Sequence, residues 1–399
     1  MSAAPAPGTG TYDVVVAGGG PAGCAAALVL ARAGRTVLLA DAGTGPPKVG
    51  ETLVPAGRVL LGDLGVADRV LGSGHLPCYG SLSAWGSAGL HAVDFINDPH
   101  GHGWHLDRRL FDRRLRDAAR AAGAEVAEGS AVRDTARTPD GDWTLVLRGG
   151  TGPAGTRPGG GRTVRCRWVI DATGRAAAIA VRCGARRRVA DRLTALYVPL
   201  EADPLDADRR SLVESDEDGW WYTAPQPSGG RLVAYFTDAD LPAASHTARH
   251  FHRRMSATRH VSRWVHRGGR PAPSPAAPRR AAAHTAHLDT VYGDGWTAAG
   301  DAAVAFDPLS SQGVLTALYT GLGAGLAVDT RLGHTRSGTD SALAAYADKV
   351  AAARHAYLRG HRALHTQEAR WTDRSFWARR LAGLPDPSRG PQEGAGTRS

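Results

Sequence analysis

Residues 12–23 read YDVVVAGGGPAG, and this stretch decides the fold. Tyr12 to Ala17 (YDVVVA) carries an unbroken apolar run, the pattern of a parallel strand covered on both faces. Gly18-Gly19-Gly20-Pro21-Ala22-Gly23 then fits GxGxxG where a strand ends and a helix opens. Gly18, Gly20 and Gly23 let the backbone turn tightly and approach a pyrophosphate, whose charge sits at the helix N-terminus beside Pro21 and Ala22. The helix is expected from Pro21 to Ala33, with Gly34 ending it. Thr36 to Ala40 (TVLLA) is a second buried strand. Asp41 closes it roughly 20 residues on, where an acid binds ribose hydroxyls. The whole is one βαβ unit.

Further along, Arg108 to Ala122 reads as an amphipathic helix with Leu110, Phe111, Leu115 and Ala118 toward the core. Trp143 to Leu147 alternates like a hairpin strand, and Arg167 to Ala172 is a third buried strand. Thr194–Leu200, Gly219–Pro225 and Arg231–Phe236 are β-like and suit one curved antiparallel sheet. His284 to Gly300 has strand character, and Val314 to Val328 is a Gly/Ala-rich helix. Thr151 to Gly161 is Gly/Pro-rich and reads as a mobile loop. The expected fold is α/β: a Rossmann-type dinucleotide domain, an inserted antiparallel β-sheet substrate domain and a helical C-terminal segment. The dinucleotide domain takes 11–75, 103–190 and 283–335, and the substrate domain 76–102 and 191–282. The helical segment takes 336–385, with 1–10 and 386–399 disordered.

The chain has 399 residues, 42% of them hydrophobic, enough for a large core. No apolar run approaches the ~20 residues of a membrane helix. Met1 to Thr11 lacks the pattern of a signal peptide, so a cytoplasmic location is expected. The four cysteines form no CxxC pair, reduced thiols are the default, and no metal site is expected. The formal charge of +10 comes almost wholly from arginine, the only lysines being Lys48 and Lys349. Such a surface is either simply solvated or attractive to an acidic carrier, peptide or substrate. No compact nucleic-acid motif is present.

Three more segments point to the cofactor. Asp171-Ala172-Thr173-Gly174-Arg175 closes the third buried strand, Gly300-Asp301 follows later, and Asp307-Pro308-Leu309-Ser310-Ser311-Gln312-Gly313 opens the helix at Val314. With the Gly-rich turn, these resemble the FAD-dependent aromatic hydroxylases and tryptophan-halogenase-like proteins. The resemblance implies that Asp171, Thr173 and Gly174 form the family's DATG turn. It also implies that Gly300 and Asp301 meet the ribityl chain or pyrophosphate. Pro308, Ser311, Gln312 and Gly313 then bring a helix N-terminus to the isoalloxazine. Arg108 resembles the family arginine on FAD phosphate. Lys48 and Val132 complete the implied cofactor set. No second GxGxxG is present, so electrons would come from transiently bound NAD(P)H or a separate flavin reductase.

On the substrate side, Lys48-Val49-Gly50-Glu51-Thr52-Leu53 resembles the VGE segment of the halogenase-like branch. Gly219-Trp220-Trp221-Tyr222-Thr223-Ala224-Pro225 departs from the halogenase motif W-x-W-x-I-P, with Tyr222 for the second tryptophan and Ala224 for isoleucine. The lysine that halogenases need near Trp85 is absent. With Arg370-Trp371 and Phe376 to Arg380, these stretches resemble flavoproteins that mature amine dehydrogenases and amino-acid oxidases, and related natural-product monooxygenases. The implied activity is hydroxylation of an electron-rich aromatic group through a flavin hydroperoxide, with O2 as co-substrate. An FAD-dependent dehydrogenase or reductase, or a halogenase, is the alternative. The expected substrate is indole- or tryptophan-derived, whether free, peptide-borne or carrier-protein-bound. His105 and Glu51, with Trp220 and Tyr222, are the candidate catalytic residues. The chain is expected to act as a monomer or homodimer.

Overall fold

Strand β1 (Gly10–Ala17) lies between two parallel neighbours, β2 (Val37–Asp41) and β11 (Arg162–Asp171), and both of its faces are covered, so Val14, Val15 and Val16, which alternate between those faces, are wholly buried. That double coverage is the physical reason for the unbroken apolar run. The computed structural model describes residues 10–43, 52–149, 161–201, 207–265, 277–333 and 340–382. The readings of 1–9, 151–160 and 384–399, and of Lys48 and Glu51, lie outside the described residues.

The first sheet has eight strands. Its path runs β19 (Tyr292–Gly293), β20 (Trp296–Ala298), β11, β1, β2, β8 (Glu125–Glu128). β9 (Ala131–Arg137) and β10 (Trp143–Arg148) extend it as an antiparallel meander on β11. β11 begins at Arg162, earlier than expected, because pairing with β10 holds residues 162–166 extended. Helices α1 (Pro21–Arg32), α4 (Arg108–Ala121) and α8 (Gly313–Gly333) share this sheet's hydrophobic core. Gly321 explains how α8 crosses α1: an added Cβ there would lie 2.2 Å from the Ala22 carbonyl oxygen. Short helices α2 (Gly57–Asp63), α3 (Ala67–Val70) and α5 (Ala178–Arg182) fill the edges.

The second sheet has seven strands in the order β17 (Arg279–Ala282), β13 (Leu193–Leu200), β16 (Arg231–Asp238), β15 (Gly219–Pro225), β14 (Ser211–Asp216), β5 (Gly80–Ala84), β6 (His91–Asp94). All neighbours are antiparallel except β14 and β5. Both faces are covered. Trp221 points into a cluster with Phe251 and Met255 of α6 (Ala248–Ala257) and Trp264 of α7 (Val261–Val265). Trp220, one residue earlier, points the opposite way, as strand alternation requires. Two small sheets, β3 (Thr52–Leu53) with β7 (Gly103–His105) and β4 (Leu76–Cys78), and β12 (Arg187–Val189) with β18 (Ala286–Leu288) and β21 (Val304–Ala305), join the halves.

The C-terminal helix α9 (Ser341–Thr366) has 26 residues, about 39 Å of rise. Its first half packs on the parallel sheet, where the Tyr346 hydroxyl donates to the Ala298 carbonyl at 2.6 Å. Its last turn reaches the second sheet, where Trp85 Nε1 donates to the Leu364 carbonyl at 2.7 Å. Phe376 and Trp377 of α10 (Ser375–Leu381) are wholly buried against that same sheet face. All four cysteines are free thiols.

Candidate active site

The Gly-rich turn leaves its helix uncapped. Gly20 precedes α1 with no side-chain cap, Pro21 stands in the first turn, and no acidic residue follows there. The free N–H groups and the positive end of the helix therefore face an anion site. Backbone packing demands the flanking glycines. A Cβ on Gly18 would lie 2.1 Å from the Ala172 oxygen, and one on Gly23 1.8 Å from the Gly18 oxygen. Gly18 also has φ of +116°, in the region that favours glycine. Asp41 stands beside the turn, where a Cβ on Gly19 would come within 2.6 Å of it. These features fit the pyrophosphate and adenosine ribose of FAD: an uncapped helix start, a side-chain-free cradle and a carboxylate at the next strand's end.

Arg116, which sequence reasoning missed, completes this corner. Its Nη1 lies 3.1 Å from Asp41 Oδ2 and donates to the Gly19 carbonyl at 3.3 Å. Arg108 sits two turns earlier on α4 and pairs with Asp112 at 3.3 Å. The available signal was the row Arg108, Asp112, Arg116, Arg120 at helical spacing, in which the third member reaches the turn. Val132 is half-buried on β9 against the parallel-sheet core.

The DATG turn corrects one assignment. Asp171 is wholly buried and accepts four hydrogen bonds: from Thr173 N and Oγ1, and from the Ile179 and Ala180 amides. Both carboxylate oxygens are satisfied within the turn, so Asp171 builds the bend instead of holding the cofactor. Thr173 Oγ1 also accepts from Ala178 N at 2.8 Å, and Gly174 supplies φ of +71°. The turn presses Ala172 against Gly18 and Gly23. Gly300 is tied to α8 by its N–H, which donates to Thr320 Oγ1 at 2.8 Å. Asp301 remains partly exposed, 3.5 Å from Arg175 Nε.

Asp307 leads into the turn Pro308–Ser310, where Ser311 has φ of +52° and Gln312 and Gly313 are exposed at the start of α8. Leu309 from this turn packs on the aromatic face that carries Trp220 and Tyr222. The helix start expected at the flavin thus adjoins the second sheet. Tyr222 is half-buried, and its hydroxyl lies 2.7 Å from Thr52 Oγ1, next in sequence to Glu51. Trp220 is 1% exposed and stacks on Phe236 at 3.9 Å, so that side of the ring is already covered. The flat surface offered to a substrate by the sequence reading is, on that side, a packing contact.

His105 pairs in register with Thr52 across β3 and β7, which ties its strand to the residue hydrogen-bonded to Tyr222. It is wholly buried, and its Nε2–H donates to the Arg209 carbonyl at 2.8 Å. Nδ1 is therefore the bare acceptor, and it has no partner among the described residues. Burial, with Arg231 and Arg209 nearby, pushes its pKa down to about 4. A neutral ring with so low a pKa accepts a hydrogen bond but is too weak a base to hold a proton near neutrality.

The FAD binding domain family model matches residues 11–318. A putative FAD-dependent oxidoreductase, LodB, from Marinomonas mediterranea is 28% identical over 395 residues, covering 93% of this chain and 97% of that protein. The crystal structure of CmlS, a flavin-dependent halogenase, matches with TM-score 0.78 and 25% identity over 93% of this chain and 67% of that one. The peptidyl tryptophan dihydroxylase QhpG shares the fold, with TM-score 0.76 and 24% identity over 94% of this chain and 80% of that one. Among the described residues, no helix is long and apolar enough to cross a membrane.

Proposed function

The chain belongs to the FAD binding domain family, and from that premise we propose that it is a monooxygenase hydroxylating an electron-rich aromatic ring, indole- or tryptophan-derived. The observation that carries the choice over halogenation concerns lysine. Only Lys48 and Lys349 exist, and Lys349 is exposed on α9. The altered motif agrees, since Tyr222 is hydrogen-bonded to Thr52 where a halogenase has its second tryptophan. The fold shared with a peptidyl tryptophan dihydroxylase gives the substrate class a precedent.

Gly18 to Gly23, Asp41 and Arg116 would hold the dinucleotide, with Asp301 toward the ribityl chain. When bound, FAD supplies the redox and O2 chemistry, reduced by NAD(P)H or a separate reductase. The residues of this chain position the ring and exclude water. Leu309 and Tyr222 line the exposed side of an apolar face that the buried Trp220 backs, and the Tyr222–Thr52 pair fixes one edge of it. His105 serves as a buried hydrogen-bond acceptor, and Glu51 adjoins Thr52 in sequence. A free, peptide-borne or carrier-bound substrate is compatible with the basic surface.

Incubating reduced enzyme with a tryptophan-containing peptide, O2 and bromide separates the readings. A product gaining one oxygen and no bromine supports hydroxylation. A bromine isotope doublet that scales with enzyme supports the halogenase reading, favoured by the CmlS likeness. A substrate that gains two hydrogens from the reduced enzyme when O2 is withheld supports the reductase reading.

A further inference from the structure

Between the start of α8 and the last turns of α9 lies a cluster that neither the dinucleotide site nor the aromatic wall uses. His361 and His365, four residues apart on one helix face, have ring centroids 4.1 Å apart. Asp307 meets them from the other side, and one donor atom from each of the three lies within 4.8 Å of the others. Its carboxylate is 1% exposed. Oδ1 accepts from the Leu309 amide at 2.8 Å, while Oδ2 faces His361 Nε2 at 3.3 Å. The Asp307 N–H donates to the Tyr357 hydroxyl at 3.1 Å, which fixes the backbone behind it.

His365 supplies the independent observation. Its Nδ1 lies 2.8 Å from the His361 carbonyl, which can only accept, so Nδ1 carries the proton and Nε2 is a bare lone pair. That Nε2 is buried with no partner among the described residues, in a side chain with no exposed surface. An imidazole oriented by a carbonyl through one nitrogen, with the other free, is the usual preparation of a metal ligand. Metal–ligand bonds of about 2.0–2.1 Å in a tetrahedral site put donors ~3.4 Å apart. The Asp307–His361 separation of 3.3 Å already has that value.

We propose that Asp307, His361 and His365 bind a divalent transition-metal ion, the donor set of two imidazoles and a carboxylate suiting Zn(II) or Fe(II). Three protein ligands leave at least one position open to water or another ligand. The ion would fasten α9 to the turn that leads to α8. His365 also touches Trp85 and Trp377, with ring centroids 5.7 and 5.8 Å away, so the site borders the second sheet. The site stands independently of the hydroxylase reading, since its test uses no substrate.

The FAD-loaded full chain, stripped with chelator, is dialysed against Co(II) and, separately, Zn(II). One metal per chain is expected, with Co(II) absorption beyond the flavin bands. His361→Ala and His365→Gln should each weaken binding by at least about 100-fold, since losing an outer-shell partner alone costs roughly 10–100-fold. Flavin content checks folding. If His365→Gln loses flavin, His361→Ala, on a side chain 19% exposed, decides alone. A wild-type chain that takes up neither metal, or a flavin-loaded His361→Ala that keeps wild-type affinity, overturns the proposal.

Discussion

The β1–α1 turn offers backbone N–H groups and has no room for side chains. On β15 side chains fill the space and engage one another. The helix after Gly20 has no cap and no acid in its first turn, and Asp41 and Arg116 stand beside it. On β15, Trp220 stacks on Phe236, Trp221 lies 4.6 Å from Tyr235 and donates to Asp216, and Tyr222 meets Thr52. An anion site built from amides needs glycine at fixed positions in one short segment. An aromatic site is assembled from strands and helices far apart in the chain, each choice depending on a neighbour.

Substitution at Gly23 tests the first half of the contrast most severely. Gly23→Ala places a Cβ 1.8 Å from a backbone oxygen. FAD loading should fall by more than tenfold, at about 1.4 kcal/mol per factor of ten, in the ratio of flavin to protein absorbance. Gly174→Ala is its control. Nothing lies within 4 Å of that Cβ, and φ of +71° costs about 1–2 kcal/mol of stability while loading stays near wild type. Equal loading in the two variants would break the distinction.

Trp220→Ala probes the second half. Removing a stacked, buried ring should cost about 3–5 kcal/mol, seen as a lowered denaturant midpoint, with FAD still bound below the transition. Loss of substrate affinity at unchanged stability would instead mean that Trp220 is a pocket wall.

His105 gives a pH dependence. Its folded pKa of about 4 lies below the ordinary 6.5, so the unfolded chain binds the proton more tightly. The stability that follows from the neutral ring is complete above pH 6.5 and is lost as pH falls toward 4, up to roughly 3 kcal/mol. His105→Gln should flatten the fall of Tm across that window. An unchanged slope would remove His105 from the acid response.

The smallest effect separates the two arginines of α4. Arg116→Ala should weaken FAD binding by about tenfold, near 1.4 kcal/mol, because Asp41 and the Gly19 carbonyl lose their donor. Arg108→Ala should act mainly on stability by removing an ion-pair partner from Asp112, which is 4% exposed. Titration of the apoproteins with FAD checks both, and the reverse ranking would assign the phosphate contact to Arg108.

What was legible in the chain follows the same divide. The strand, turn and helix around Gly18 to Gly23 are local, so the motif and its spacing located them, while the start of α8 near Gly313 was read from composition and the family resemblance. Asp171 was recognised as part of the turn but not for its task, because its four donors come from residues up to nine positions later. The stacking of Trp220 on Phe236 depends on the β15–β16 register, which sequence spacing does not set. Arg116 and the His361–His365 pair were visible as helical rows, but their partners Asp41 and Asp307 come from other elements.

The central claim is oxygen insertion by a flavoprotein, and isotope labelling tests it most directly. Enzyme, reductant and a tryptophan-containing peptide are supplied with 18-O-labelled O2 in unlabelled water, and the product is read by mass spectrometry. The account predicts one labelled oxygen on the aromatic ring. Oxygen drawn from water, or product formed equally well without O2, would contradict it.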